Sequence, residues 1–163
     1  MYEDADLIVI GNASDSFIER EHVATYTPAE EELPETLEDF YTRTTINIEK
    51  VLKFPEGANI QDNSEIDIIE PVAIIEEDNV DKKLAMENYA ELEKDHDYII
   101  YLKANTFGEY SVINMNNGKF NLESEEQIEN LMEQHHDNDK EKHEELKKQV
   151  LERFKEEIDN YDS

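Results

Sequence analysis

Apolar and polar residues alternate along much of the first 122 positions, and the period is that of strands. Ala5-Asp-Leu-Ile-Val-Ile-Gly11 is a short, β-branched, almost continuous apolar run ended by glycine, which predicts a core strand. His22 to Thr27 predicts a second strand. From Phe40 the sequence places Phe40, Thr42, Thr44, Ile46 and Ile48 on one face, with Val51 and Leu52 apolar in succession. This predicts one long strand with a buried face, turning at Phe54-Pro55-Glu56-Gly57. Ile66, Ile68 and Val72 to Ile75 predict a further strand, with Pro71 at a bend. Leu84, Tyr89 and Leu92 predict a short helix or helical turn within 81–94, and Tyr98-Ile-Ile-Tyr-Leu102 a second core strand. Between Tyr110 and Leu122 two alternating segments flank Asn116-Asn117-Gly118. Asn-Gly supplies the two positive φ angles of a type I′ turn, so a hairpin is expected there.

Past Leu122 the period changes. Ser124 and Gln127 resemble a capping box ahead of Ile128, Leu131 and Met132, and His135 to Asp139 read as a break. Leu146, Val150, Phe154 and Ile158 then recur every four residues, which predicts an amphipathic helix with a narrow apolar stripe. The division is a β domain over 1–122 and a charged helical extension over 123–163. Five to six strands, with a helical piece before the fourth main one, predict a mainly β protein with a C-terminal helix. The expected architecture is an OB-like Greek-key barrel carrying an acidic amphipathic helical tail.

Charge alters what such a barrel can bind. The chain has 163 residues, 43 of them acidic and 15 basic, for a formal charge of −28. The tail carries 15 acidic and 6 basic residues, so most of the excess lies on the barrel. Phosphate backbones and anionic lipid headgroups are repelled by such a surface, which argues against direct nucleic-acid binding. The charge is compatible with basic protein partners, with divalent cations or with simple solubility, and the expected partner is a protein or a small ligand. Cysteine is absent, so thiolate metal sites, disulfides and cysteine nucleophiles are excluded. No apolar run reaches membrane-spanning length.

The candidate chemistry is sparse. His135, His136 and His143 lie among acidic residues and form the best metal candidate, but lack the His-Glu-x-x-His spacing of a zinc site. Glu30, Glu31, Glu32 and Glu35, followed by Glu38 and Asp39, form an acidic run flanked by Pro28 and Pro34. Acid–base work needs burial to separate two carboxyl pKa values, and a proline-flanked run is expected to be solvated. It is instead a candidate for partner binding. Phe154 and Ile158 on the tail are candidates for a partner surface or for docking on the barrel itself. No serine lies in a nucleophile elbow, and 4 glycines in all leave little room for a phosphate loop. No cofactor is expected, and an enzyme is not.

Three segments resemble a known family in their order. Ala5-Asp-Leu-Ile-Val-Ile-Gly11, Ile46-Asn-Ile-Glu-Lys-Val-Leu-Lys53 and Leu92-Glu-Lys-Asp-His-Asp-Tyr-Ile-Ile-Tyr-Leu102 are similar to a pattern of small extracytoplasmic, lipoprotein-like proteins of Gram-positive bacteria. Their core resembles the netrin-like, tissue-metalloprotease-inhibitor type of OB barrel. Phe54 and Asp95 stand where that pattern has glycine. The zinc-chelating N-terminal cysteine of the animal inhibitors is absent, so protease inhibition is not implied. The resemblance implies a barrel and an envelope location. A strand that begins so soon after Met1 fits a chain from which a leader has been removed. The expected function is therefore non-enzymatic binding or regulation in the cell envelope. The alternative is a cytoplasmic acidic inhibitor, or nucleic-acid mimic, that blocks a basic protein site.

Overall fold

The computed structural model describes residues 2–32, 35–55, 57, 60–105, 108–113, 115–122 and 137–161. Among these residues nine strands run in the order β1 (Leu7–Ala13), β2 (Glu21–Thr27), β3 (Thr36–Lys53), β4 (Ser64–Glu70), β5 (Val72–Glu77), β6 (Val80–Ala85), β7 (Tyr98–Ala104), β8 (Tyr110–Val112) and β9 (Lys119–Asn121). Among the described residues two helical segments follow, α1 (Asp137–Arg153) and α2 (Lys155–Tyr161). The i→i−4 bonds continue across their junction, from Phe154 N–H to the Val150 carbonyl (3.1 Å) and from Ile158 N–H to the Phe154 carbonyl (2.9 Å).

Five strands close into a barrel in the order β1-β3-β4-β8-β7, with β7 returning to β1. All neighbours are antiparallel except β4 and β8. This is the expected OB-like Greek key with a helical tail. Its interior is filled by Leu7, Val9, Ile46, Ile48, Ile68, Ile100 and Leu102. The intervening residues of β1 and β7, namely Ile8, Ile10, Ile99 and Tyr101, face outward into a second apolar cluster with Phe120, Val150 and Phe154. The continuous apolar runs of β1 and β7 are thereby explained: each is buried on both faces, inside by the barrel and outside by the helix. The long β3 keeps strict alternation over Thr42–Ile48 because only its inner face is covered.

Two local expectations need correction. Asn116-Asn117-Gly118 does not turn a hairpin. β8 and β9 lie end to end along one edge of β7, joined by a 3-10 turn over Met115–Gly118. The other edge of β8 is already taken by β4, so β9 has no place beside it. Gly118 is required for space, since a Cβ there would lie 1.8 Å from the Ile113 carbonyl oxygen. The type I′ geometry instead falls at Asp78-Asn79, whose φ angles are 54° and 66°, between β5 and β6. That hairpin takes the first part of the span 81–94, up to Ala85, and the short helix or helical turn expected there is a single 3-10 turn at Met86–Asn88. Pro71 marks the expected bend, where the chain leaves the barrel for this separate two-stranded sheet.

The tail stripe lies on the chain's own barrel. Phe154 is buried against Tyr101 (ring centroids 6.5 Å apart) and Tyr2 (6.2 Å), and Leu146 and Ile158 pack on the same cluster.

Candidate functional site

The acidic run forms the tip of a projecting ribbon. Thr42–Ile48 of β3 pairs with β4, and Ile46–Lys53 pairs with β1. Residues before Thr42 pair only with β2, from Tyr41 opposite Val23 out to Thr36 opposite Thr27. This two-stranded arm leaves the barrel between its first and second strands, the place of a principal binding loop in OB barrels. Glu30, Glu31, Glu32, Glu35, Glu38 and Asp39 are all exposed along it, and no Lys or Arg occurs between Arg20 and Arg43. Tyr26, 38% exposed, adds an aromatic ring opposite Leu37.

The arm is anchored at its base. Arg43 on β3 bonds Glu21 on β2 (3.0 Å) and Glu109 in the β7–β8 loop (3.1 Å). That loop is the second binding element of OB barrels. His22 Nδ1 accepts from the Ile74 N–H (3.2 Å), and Nε2 donates to the Phe17 carbonyl (2.8 Å), which ties β5 to the arm. On the outer face of β3 and β4, Thr45 donates to Asp67 (2.6 Å) beside Glu49 and Glu65. A barrel that binds nucleic acid needs a basic groove here. This one presents carboxylates.

A polar centre missed from sequence closes one end of the barrel. Glu70, fully buried at the end of β4, has both carboxylate oxygens engaged. Oε1 accepts from the Tyr89 hydroxyl (2.7 Å) and the Leu92 N–H (2.8 Å), and Oε2 from Arg20 (3.1 Å) and Thr44 (2.5 Å). Arg20 also donates to the Asp15 carbonyl (3.1 Å) and to the Leu92 carbonyl. The signal was present in the alternation: Glu70 follows Ile66 and Ile68 at the inward period of β4. With every partner already in place the carboxylate is a structural clamp, binding the segments around Arg20 and Leu92 to the barrel. Burial and the Glu70 charge push the Tyr89 phenol well above its ordinary value.

Lys119 lies nearby, 8% exposed, with Nζ 4.9 Å from the Tyr89 ring centroid and 5.9 Å from that of Tyr98. Burial pushes its ammonium down to about 8, and Glu70, Glu91 and Glu93 pull the other way. Because the folded value lies below the unfolded 10.5, the unfolded chain holds the extra proton between pH 8 and 10.5. Stability therefore rises with pH through this window, by up to about 1.4 kcal/mol per unit. Tyr89 and Tyr101, raised above 10, oppose it only beyond pH 10. Urea unfolding between pH 7.5 and 9.5 is expected to show this slope in the native chain and to lose it in Lys119→Met. Parallel profiles would refute the assignment.

His143 is buried, stacked on Phe120 (centroids 5.0 Å apart, 23° between planes), with Nδ1 3.2 Å from Asn117 Oδ1. His135 and His136 lie outside the described residues. Among the described residues no group of three or more His, Asp or Glu is placed to hold a metal ion. No helix among them is long and apolar enough to cross a membrane. Phe154, a candidate for partner contact, is 5% exposed and committed to the chain's own core.

Fold and site together define an OB-topology barrel with a helical cap and an acidic projecting arm. Comparison with known proteins finds no matching family model, no matching curated protein and no matching solved structure.

Proposed function

We propose that this protein is a non-enzymatic binding module that presents its β2–β3 arm to a cationic protein surface. One observation carries the reading. Six exposed carboxylates, in a stretch with no Lys or Arg between Arg20 and Arg43, occupy the binding-loop position of the barrel, on a ribbon tied at its base by Arg43 and His22. Such an array accelerates encounter with a basic partner and repels acidic competitors. The resemblance to lipoprotein-like envelope proteins supports a location outside the membrane of a Gram-positive bacterium. The acidic outer face of β3 and β4 also favours a second reading, in which the chain occupies the nucleic-acid site of a cytoplasmic protein.

The arm must outperform the same charge placed elsewhere. One variant carries Gln at Glu30, Glu31, Glu32 and Glu35, and a control carries Gln at Glu141, Glu144, Glu145 and Glu152 on the exposed face of α1. Titrated with a lysine-rich peptide at fixed salt, the arm variant is expected to lose about tenfold in affinity and the control less than threefold, since each rim charge contributes a few tenths of a kcal/mol. Equal losses would reduce the arm to part of a diffuse negative surface and sink the proposal.

A further inference from the structure

The helical cap does not fill the space over the barrel. Between α1, the outer face of β7 and the N-terminal residues lies a half-open cavity of about 300 Å³. Leu146 and Val150 form an apolar wall. Tyr101 and Arg153 line the same space, with Gln149 beside them and Tyr2 and Glu3 at the rim. This is the lower end of the size range of small-molecule sites, and the mixture of an apolar wall with a few convergent polar groups is what such sites share.

Two observations show which chemistry it would accept. The Tyr101 ring is buried, but its hydroxyl opens on the cavity and has no hydrogen bond to another described residue. A hydroxyl that faces the cavity with no acceptor in the chain is satisfied by water or by an acceptor that a ligand brings. Burial pushes the phenol up to about 12, with the Arg153 charge opposing, so it remains a donor under any physiological condition. The second observation is a local reversal of charge. In a chain of formal charge −28, Arg153 and Lys53 converge on one ring, with the guanidinium carbon 3.7 Å and the ammonium 4.6 Å from the Tyr2 centroid. Lys53 also donates to the Tyr2 carbonyl (2.8 Å), which fixes the N-terminal segment at the rim.

We propose that this cavity binds a small monocarboxylate with a short apolar chain. The carboxylate accepts from the Tyr101 hydroxyl and the Arg153 guanidinium, and the chain lies along Leu146 and Val150. A planar carboxylate suits the flat donor fork of arginine. The exposed Glu3 at the rim disfavours a dianion such as phosphate.

Hexanoate and its neutral isostere hexanamide are the probes, titrated into the full chain with amide NMR shifts as the readout. Hexanoate is expected to give saturable shifts around Tyr101 and over 146–153, and hexanamide to bind at least tenfold more weakly. Tyr101→Phe keeps the ring and removes the donor. It is expected to weaken hexanoate by about tenfold, as for loss of one hydrogen bond to a charged group. Its melting temperature without ligand should not fall, because no protein acceptor is lost. Equal binding of the two probes, undiminished binding to Tyr101→Phe, or no saturable shift at tens of millimolar would each overturn the site. A lower melting temperature for unliganded Tyr101→Phe would show that the hydroxyl has a partner within the fold, and would remove the premise.

Discussion

Replacing Glu70 with Ala is expected to destabilise the protein by about 3–5 kcal/mol, the cost of removing one member of a buried ion pair. The substitution leaves the Arg20 guanidinium, the Thr44 and Tyr89 hydroxyls and the Leu92 N–H without their acceptor, in a place water does not reach. For a chain of this length the melting temperature should fall by roughly 10 °C or more. Arg20→Met combined with Glu70→Leu removes both charges, and should be less damaging than the sum of the two single changes. Denaturant unfolding of the four proteins measures this coupling. Additive losses would mean that the two charges do not act as a pair.

The second large effect is at the cap. Phe154 inserts between Tyr2 and Tyr101 on the outer face of β1 and β7, and Val150 and Ile158 follow the same stripe. Phe154→Ser removes a buried aromatic ring and places a hydroxyl among apolar side chains, at an expected cost of about 3–5 kcal/mol. The paired change Phe154→Ser with Ile158→Ser should undock the helix and expose Ile8, Ile10 and Ile99. A lower melting temperature and binding of a hydrophobic dye would report it. An unchanged melting temperature would mean that the helix contributes nothing to the isolated barrel, and the stripe would again be free for a partner.

How far the sequence disclosed this structure depended on whether a pattern had one physical cause. Alternation in Phe40–Ile48 has one, a single buried face, and it placed β3 correctly. The apolar runs at Leu7–Ile10 and Tyr98–Leu102 announced core strands, but not that each is covered twice, which depends on the remote Val150 and Phe154. Asn117-Gly118 and Asp78-Asn79 are both acceptable type I′ turns in isolation. Which one turns a hairpin is decided by the β4–β8 pairing, a contact across some forty residues that no local pattern records. Leu84, Tyr89 and Leu92 mimicked a helix because a surface hairpin and a 3-10 turn place three apolar residues at irregular intervals. The acidic arm was legible as a solvated segment. Its position on a paired ribbon required the register of β2 with β3. The Glu70 centre was the least visible, because a carboxylate at an inward strand position reads as an error in the alternation until Arg20, fifty residues earlier, is brought to it.

The central claim is that the arm, and not the chain's acidity in general, engages a partner. A photo-crosslinking residue in place of Glu31, compared with one in place of Glu145 on α1, tests it in the cells that make the protein. The account predicts a discrete, salt-sensitive adduct with a basic protein from position 31, lost when Glu30, Glu32 and Glu35 are changed to Gln, and none from position 145. Adducts of equal yield from both positions, or no adduct from the arm, would contradict it.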